Sequence, residues 1–375
     1  MRLIAICLLL CECLAAQSWS AQTSGLDTNL RGISVTYSSV KGKRDFIVWA
    51  SGSNGMILRS TNSGETWKQL HVADGNDLDF RDIEGFDTET VYVMSSGEGN
   101  KSRIYKTVDG GATWTLQYSD NRPGFFLDSL ACDSKTRCIA LSDPVDGKFL
   151  VLSTDDGEHW KELPRERMPD ALSAEGAFAA SGTTITLCDH ENIYFGTGGG
   201  RAARVFHSKD RGRSWIATET PMASGNASSG IFSVACNGHS VVAVGGDYKD
   251  PASAKQAAIY SSNSGKTWQL GKQEPDGYHS AVVSDSHGNF IAVGPTGTFV
   301  SEDGGVHWKF SDTQSLNTAG FENGEGWAAG PKGTIARLKT HETSPGAGTN
   351  SSLFPPSSPA RESVTLRAQP APQQE

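Results

Sequence analysis

With 375 residues, 33 basic against 42 acidic side chains and a net charge of −9, the chain lacks the basic runs that nucleic-acid binding demands. Hydrophobic content of 37% with 42 glycines suits many short strands and turns, and nothing reads as a long amphipathic helix. Composition points to an all-β protein.

Residues 1–16 read as a signal peptide. Arg2 precedes the apolar run Leu3–Leu10, and Cys11-Glu12-Cys13-Leu14-Ala15-Ala16 closes the stretch with small residues. That is too short to span a bilayer comfortably and has the build of a secretory leader, with cleavage expected near Ala16. The mature chain is expected to be exported, periplasmic or extracellular, with no integral membrane span.

From residue 60 the chain repeats one eight-residue pattern six times, Ser/Thr-x-Asp/Asn-x-Gly-x-x-Trp. Its closing tryptophans, Trp67, Trp114, Trp160, Trp215, Trp268 and Trp308, fall 47, 46, 55, 53 and 40 residues apart, the spacing of one four-stranded unit per copy. Each copy reads as a tight turn. The glycine supplies positive φ, Asn62, Asp109, Asp155, Asp210, Asn263 or Asp303 accepts amide hydrogens of the turn, and the tryptophan wedges between neighbouring units.

Short apolar runs precede the turns, among them Phe46–Ala50, Val91–Val93, Val241–Val244 and Phe290–Val293. Seven such runs can be counted, the last at Trp327–Ala329 and without a turn of its own. The segment Ser18-Trp19-Ser20 echoes Thr113-Trp114-Thr115 and would supply the missing strand. The expectation is a seven-bladed β-propeller over residues 17–340, closed by an N-terminal strand that leaves no open sheet edge. Residues 341–375 form a Pro/Ser-rich tail whose composition cannot offset its ordering entropy.

Of seven cysteines, three leave with the leader, so Cys132, Cys138, Cys188 and Cys236 remain in an oxidising compartment. Cys132 and Cys138 flank the turn between two strands of one blade and are expected to pair. Cys188 and Cys236 occupy matching positions in adjacent blades, which leaves a second bridge open. Neither a metal-ligand spacing nor a dinucleotide fingerprint is present, so no metal and no cofactor are expected.

Chemistry in a propeller belongs at the entrance to the innermost strands. Aligning these sets Arg31, Arg81, Leu127 and Ile231 at one level, with Asp82, Asp128 and His279 near the channel. The longest loops lie on the same face and carry Asp143, Glu175, Arg204, Asp247 and Tyr248. Arg31, Arg81, Asp82, Asp128, Arg204, Tyr248 and His279 are the candidate binding residues for a protein or carbohydrate partner.

The six turns resemble Asp-box, or BNR, repeats. Phrases such as Trp49-Ala50-Ser51-Gly52-Ser53-Asn54-Gly55 and Gly326-Trp327-Ala328-Ala329-Gly330 resemble the photosystem II stability and assembly factor family and its bacterial relatives. That resemblance covers nearly the whole mature chain. It implies a seven-bladed propeller acting as an assembly scaffold, with Arg31 and Arg81 nearest to that family's arginine-rich patch. Asp-box propellers also include sialidases, whose Arg-Ile-Pro motif this chain lacks: Arg81-Asp82-Ile83 and Arg103-Ile104-Tyr105 have no proline. A different glycoside hydrolase would set two carboxyl groups across the groove, and Asp143 with Glu175 or Asp247 is the candidate pair.

Overall fold

The computed structural model describes residues 18–22, 24–40, 43–252 and 255–339; the expected leader and tail lie outside these. Seven four-stranded antiparallel sheets follow one another, six of them built from consecutive strands. In the seventh, Thr318–Glu322, Glu325–Ala329 and Ile335–Lys339 are completed by Ser18–Gln22, in the register Trp19↔Leu338 and Gln22↔Ile335. Each inner strand lies beside the next, and the seventh lies beside the first. The chain is a seven-bladed β-propeller, and its first described strand closes the ring. Among the described residues there is no α-helix, and hence none long and apolar enough to cross a membrane.

Between each pair of neighbouring blades sits one apolar cluster, and each holds one of the repeating tryptophans. Trp114, Trp160, Trp215, Trp268 and Trp308 fill the gaps from blades one and two round to five and six. Trp67 packs edge-on against Trp327 between blades seven and one, and Trp19 occupies the remaining gap between six and seven. The seven seams are thus chemically alike.

The turns work as expected from their residues, with one correction. In the first, the Gly64 amide donates to Ser60 Oγ (2.9 Å) and the Thr66 amide to Asn62 Oδ1 (3.0 Å). Ser63 and Gly64 both take positive φ, 56° and 83°, and a Cβ on Gly64 would meet the Trp327 ring at 2.4 Å. Turns two, four, five and six repeat this arrangement. The third is one residue tighter. Thr154 Oγ1, not Ser153, accepts from Gly157 (2.9 Å), and Asp156, not Asp155, accepts the Glu158 and His159 amides (both 2.8 Å). Only Gly157 has positive φ there, where the other turns have two consecutive residues in that region. Asp155 pairs instead with Lys161 at the surface.

Both cysteine pairs are bridged. Cys132–Cys138 joins register partners in blade three, and Cys188–Cys236 ties blade four to blade five. The sequence separations are 6 and 48 residues. In the chain-entropy picture the longer loop confines the unfolded chain more, by about 2 kcal/mol for this ratio of lengths. Replacing Cys188 and Cys236 by serine is therefore expected to lower the urea midpoint clearly more than replacing Cys132 and Cys138, and equal midpoints would contradict that.

Candidate binding site at the channel mouth

The innermost strands of blades one, two, three and five each carry a register shift at the same level. The shifts fall between Leu30 and Gly32, Phe80 and Asp82, Leu127 and Ser129, and Ile231 and Ser233. A bulge leaves one residue unpaired and re-aims its side chain. The residues so released are Arg31, Arg81, Asp128 and Phe232, and all four line one cavity of ≈ 680 Å³ on the loop-rich face. The alignment made from sequence is off by one here: Asp128 and Phe232, not Leu127 and Ile231, stand level with the two arginines. Leu127 and Ile231 are buried in the seams between blades.

One side of the cavity is basic. Arg81 Nε donates to Asp79 Oδ2 (2.8 Å) and its Nη1 to the Ala179 carbonyl (2.9 Å), while Arg31 Nη1 reaches the Ala180 carbonyl (3.4 Å). Burial, and then the like charge of Arg81, lower the affinity of Arg31 for its proton. Aromatic rings form a wall beside them. Phe178 and Phe232 stack at 3.9 Å between centroids, and Tyr278 and Tyr248 stand edge-on to Phe232.

The same lining also holds acidic groups. Asp128 is 1% exposed, and its Oδ2 has no hydrogen-bond partner. Burial, and then the charge of Asp143, push its carboxyl well above the usual range. Asp143 accepts the Ala177 amide at Oδ1 (2.8 Å), and burial pushes its carboxyl up to about 6. Arg31, Arg81, Glu98, Tyr248 and Tyr278 are the other ionisable groups lining this space.

A carboxyl that holds its proton more tightly when folded makes stability fall as pH rises from the unfolded to the folded pKa. For Asp143 that window runs from about 4 to about 6, and Asp128, also raised, loses stability upward from the same lower limit. Asp128→Asn is therefore expected to raise stability at pH 7.5 by roughly 1–3 kcal/mol and to change it little at pH 4. Urea midpoints at the two pH values test this, and a lower midpoint at pH 7.5 would contradict it.

Other candidates from the sequence fall elsewhere. Glu175 does not line the cavity: its side chain is fully buried and accepts from Arg204 Nε (2.8 Å) and Nη2, Thr197 Oγ1 (2.6 Å) and the Leu172 amide (2.7 Å). Arg204 is spent on the same ion pair. Asp247 is a turn residue, bonded to the Lys249 amide (2.9 Å) and Asn226 Nδ2 (3.1 Å). Asp82 lies deeper, where it accepts the Ile83 (2.8 Å) and Leu130 (2.6 Å) amides and so fastens blade two to blade three. His279 is buried against Phe299 with Nδ1 on the Gly277 carbonyl (3.1 Å), and burial lowers its pKa to about 4. Of the candidates, Arg31, Arg81, Asp128, Asp143 and Tyr248 meet at the mouth.

The sequence reading missed Glu98, Phe126, Phe178, Phe232 and Tyr278 as cavity residues. It also missed a groove of ≈ 730 Å³ between blades three and four on the face of the turns, where Arg137, Lys161, Arg167, Arg211 and Arg213 gather around Asp155 and Glu166. Arg167 and the pair Arg211/Arg213 were visible signals for it, but only the ring places the two blades side by side.

No protein-family model matches the chain, and no curated protein matches its sequence. Solved propellers do match its fold. YCF48 bound to D1 peptide superposes with a TM-score of 0.59 at 14% identity, covering 86% of this chain and 97% of that one. YCF48 from Cyanidioschyzon merolae gives 0.58 at 18%, covering 86% and 99%. Virginiamycin B lyase from Staphylococcus aureus gives 0.60 at 13%, also covering 86% and 99%. YCF48 and a lyase fit almost equally well, so the likeness is one of fold.

Proposed function

We propose that the chain is an exported interaction scaffold that binds a protein partner at the channel mouth on its loop-rich face. The observation that carries this reading is the set of four aligned bulges, which bring Arg31, Arg81, Asp128 and Phe232 to one open cavity. Arginine and aromatic side chains are the types that dominate the energetic centres of protein interfaces. The structure of YCF48 with a D1 peptide is a precedent, on the same fold, for a propeller that takes a peptide. Export is supported by the leader-like first sixteen residues and by two disulfides, which persist in oxidising compartments. Glycoside hydrolysis by either expected pair, Asp143 with Glu175 or Asp143 with Asp247, is not supported, because of these three only Asp143 lines the cavity.

A photo-crosslinking residue at position 248 tests the reading against one at position 108. Tyr248 is 46% exposed at the mouth, whereas Val108 is 64% exposed within a turn of the opposite face. Crosslinks to a single partner from position 248, in cells expressing the full chain, are expected. Crosslinks from position 108 alone would overturn the assignment of the face.

A further inference from the structure

The acidic groups of the mouth make no direct ion pair, although the charge of Arg81 reaches Asp128 from a distance. No ion pair of the described residues involves Glu98, Asp128 or Asp143. The arginines nearby are engaged elsewhere: Arg81 with Asp79 and the Ala179 carbonyl, Arg122 with Asp120 and Glu162. Beside the main cavity a second one of ≈ 370 Å³ shares Glu98, Phe126 and Asp143 with it, so the acidic groups border a continuous recess. Asp128 stands at its buried end with a free acceptor oxygen.

Asp128 and Asp143 are buried within reach of each other's charge, so a cation entering between them would let both ionise and would be held by them in turn. A divalent metal is a poor answer, because no group of three or more His, Cys, Asp or Glu among the described residues has a metal-holding arrangement. A long organic cation is a better one. The rings of Phe126, Phe178 and Phe232 line the way in, and an alkyl stem or a guanidinium plane packs well on such surfaces.

We propose that the channel mouth is a receptor for one basic side chain, arginine or lysine, projected by the protein partner into the recess between Asp128, Asp143 and Glu98. This rests on the loop-face reading above and adds the chemistry of what the face recognises. Arg31 and Arg81, in the same cavity, would meet the backbone carbonyls or an acidic neighbour of the inserted residue.

The probes are capped pentapeptides Gly-Gly-X-Gly-Gly, with X arginine, lysine, glutamine or glutamate, titrated calorimetrically against the folded protein. Arginine and lysine peptides are expected to bind about tenfold tighter than the glutamine peptide, and Asp128→Asn to remove that preference while melting no lower than the parent. A variant that loses the ligand without losing stability cannot be explained by misfolding. Preference for the glutamate peptide, or an unchanged preference in Asp128→Asn, would overturn the proposal. Absence of any peptide preference, with crosslinking still found at position 248, would overturn this inference and leave the loop-face reading standing. Loss of crosslinking at 248 in favour of 108 would remove both.

Discussion

Trp19→Ala is expected to destabilise the propeller by about 3–5 kcal/mol, the range for removing a buried large aromatic side chain. Trp19 is 5% exposed and packs among Ile291, Val293, Leu316, Ala336 and Leu338 between blades six and seven. Its Nε1 donates to Thr298 Oγ1 at 2.9 Å, a buried bond that alanine would leave unmade. Its backbone amide donates to Asp312 Oδ2 (3.1 Å), and its carbonyl accepts from Gln314 Nε2 (2.8 Å). Those backbone bonds survive only while the strand stays docked. Trp215→Ala removes a ring of the same size from the seam between blades three and four, where the strands on both sides belong to one continuous run of chain. The two substitutions should therefore differ in kind. Trp215→Ala should lower the urea midpoint with exchange protection retained along Ile335–Lys339, whereas Trp19→Ala should also expose the amides of that strand to exchange. Equal protection of Ile335–Lys339 in both variants would show that the closing strand does not depend on its tryptophan.

Ring closure was legible because it rests on short-range chemistry. The hydroxyl, the carboxylate or amide and the glycine act within eight residues, and the indole closes each copy at a fixed place, so the pattern Ser18-Trp19-Ser20 could be matched to its siblings without knowing any distant contact. The third turn shows where that stops: Ser153-x-Asp155-x-Gly157 fits the pattern as well as any copy, yet the adjacent Thr154 and Asp156 offer the same groups one residue closer to the glycine, and the tighter set forms. The bulges were not legible. A bulge adds one residue to one strand, so an alignment by apolar pattern slips by one just where Asp128 and Phe232 leave the ladder.

Loop residues were harder again, because their roles depend on partners far along the chain. Glu175 and Arg204 are 29 residues apart, and both seemed suited to a groove. The structure uses each to neutralise the other.

That pair supports the second large effect. Glu175→Gln is expected to cost about 3–5 kcal/mol, because it leaves the Arg204 guanidinium charged, 9% exposed and without a counter-ion. The damage should concentrate in residues 164–181. Leu172 donates its amide to Glu175, Arg204 holds the Asp170 carbonyl (2.9 Å), and the isolated bridge Gly176↔Gly198 sits between them. Glu175→Gln combined with Arg204→Met removes both charges and should recover a large part of the loss, since an apolar replacement of a buried ion pair is often neutral or better. If instead Glu175 served as a catalytic acid, the single substitution would leave stability unchanged and the double variant would gain nothing. Urea denaturation of the two single variants and the double variant, read as a cycle, separates these outcomes: a coupling near zero would mean that the pair does not hold the loop.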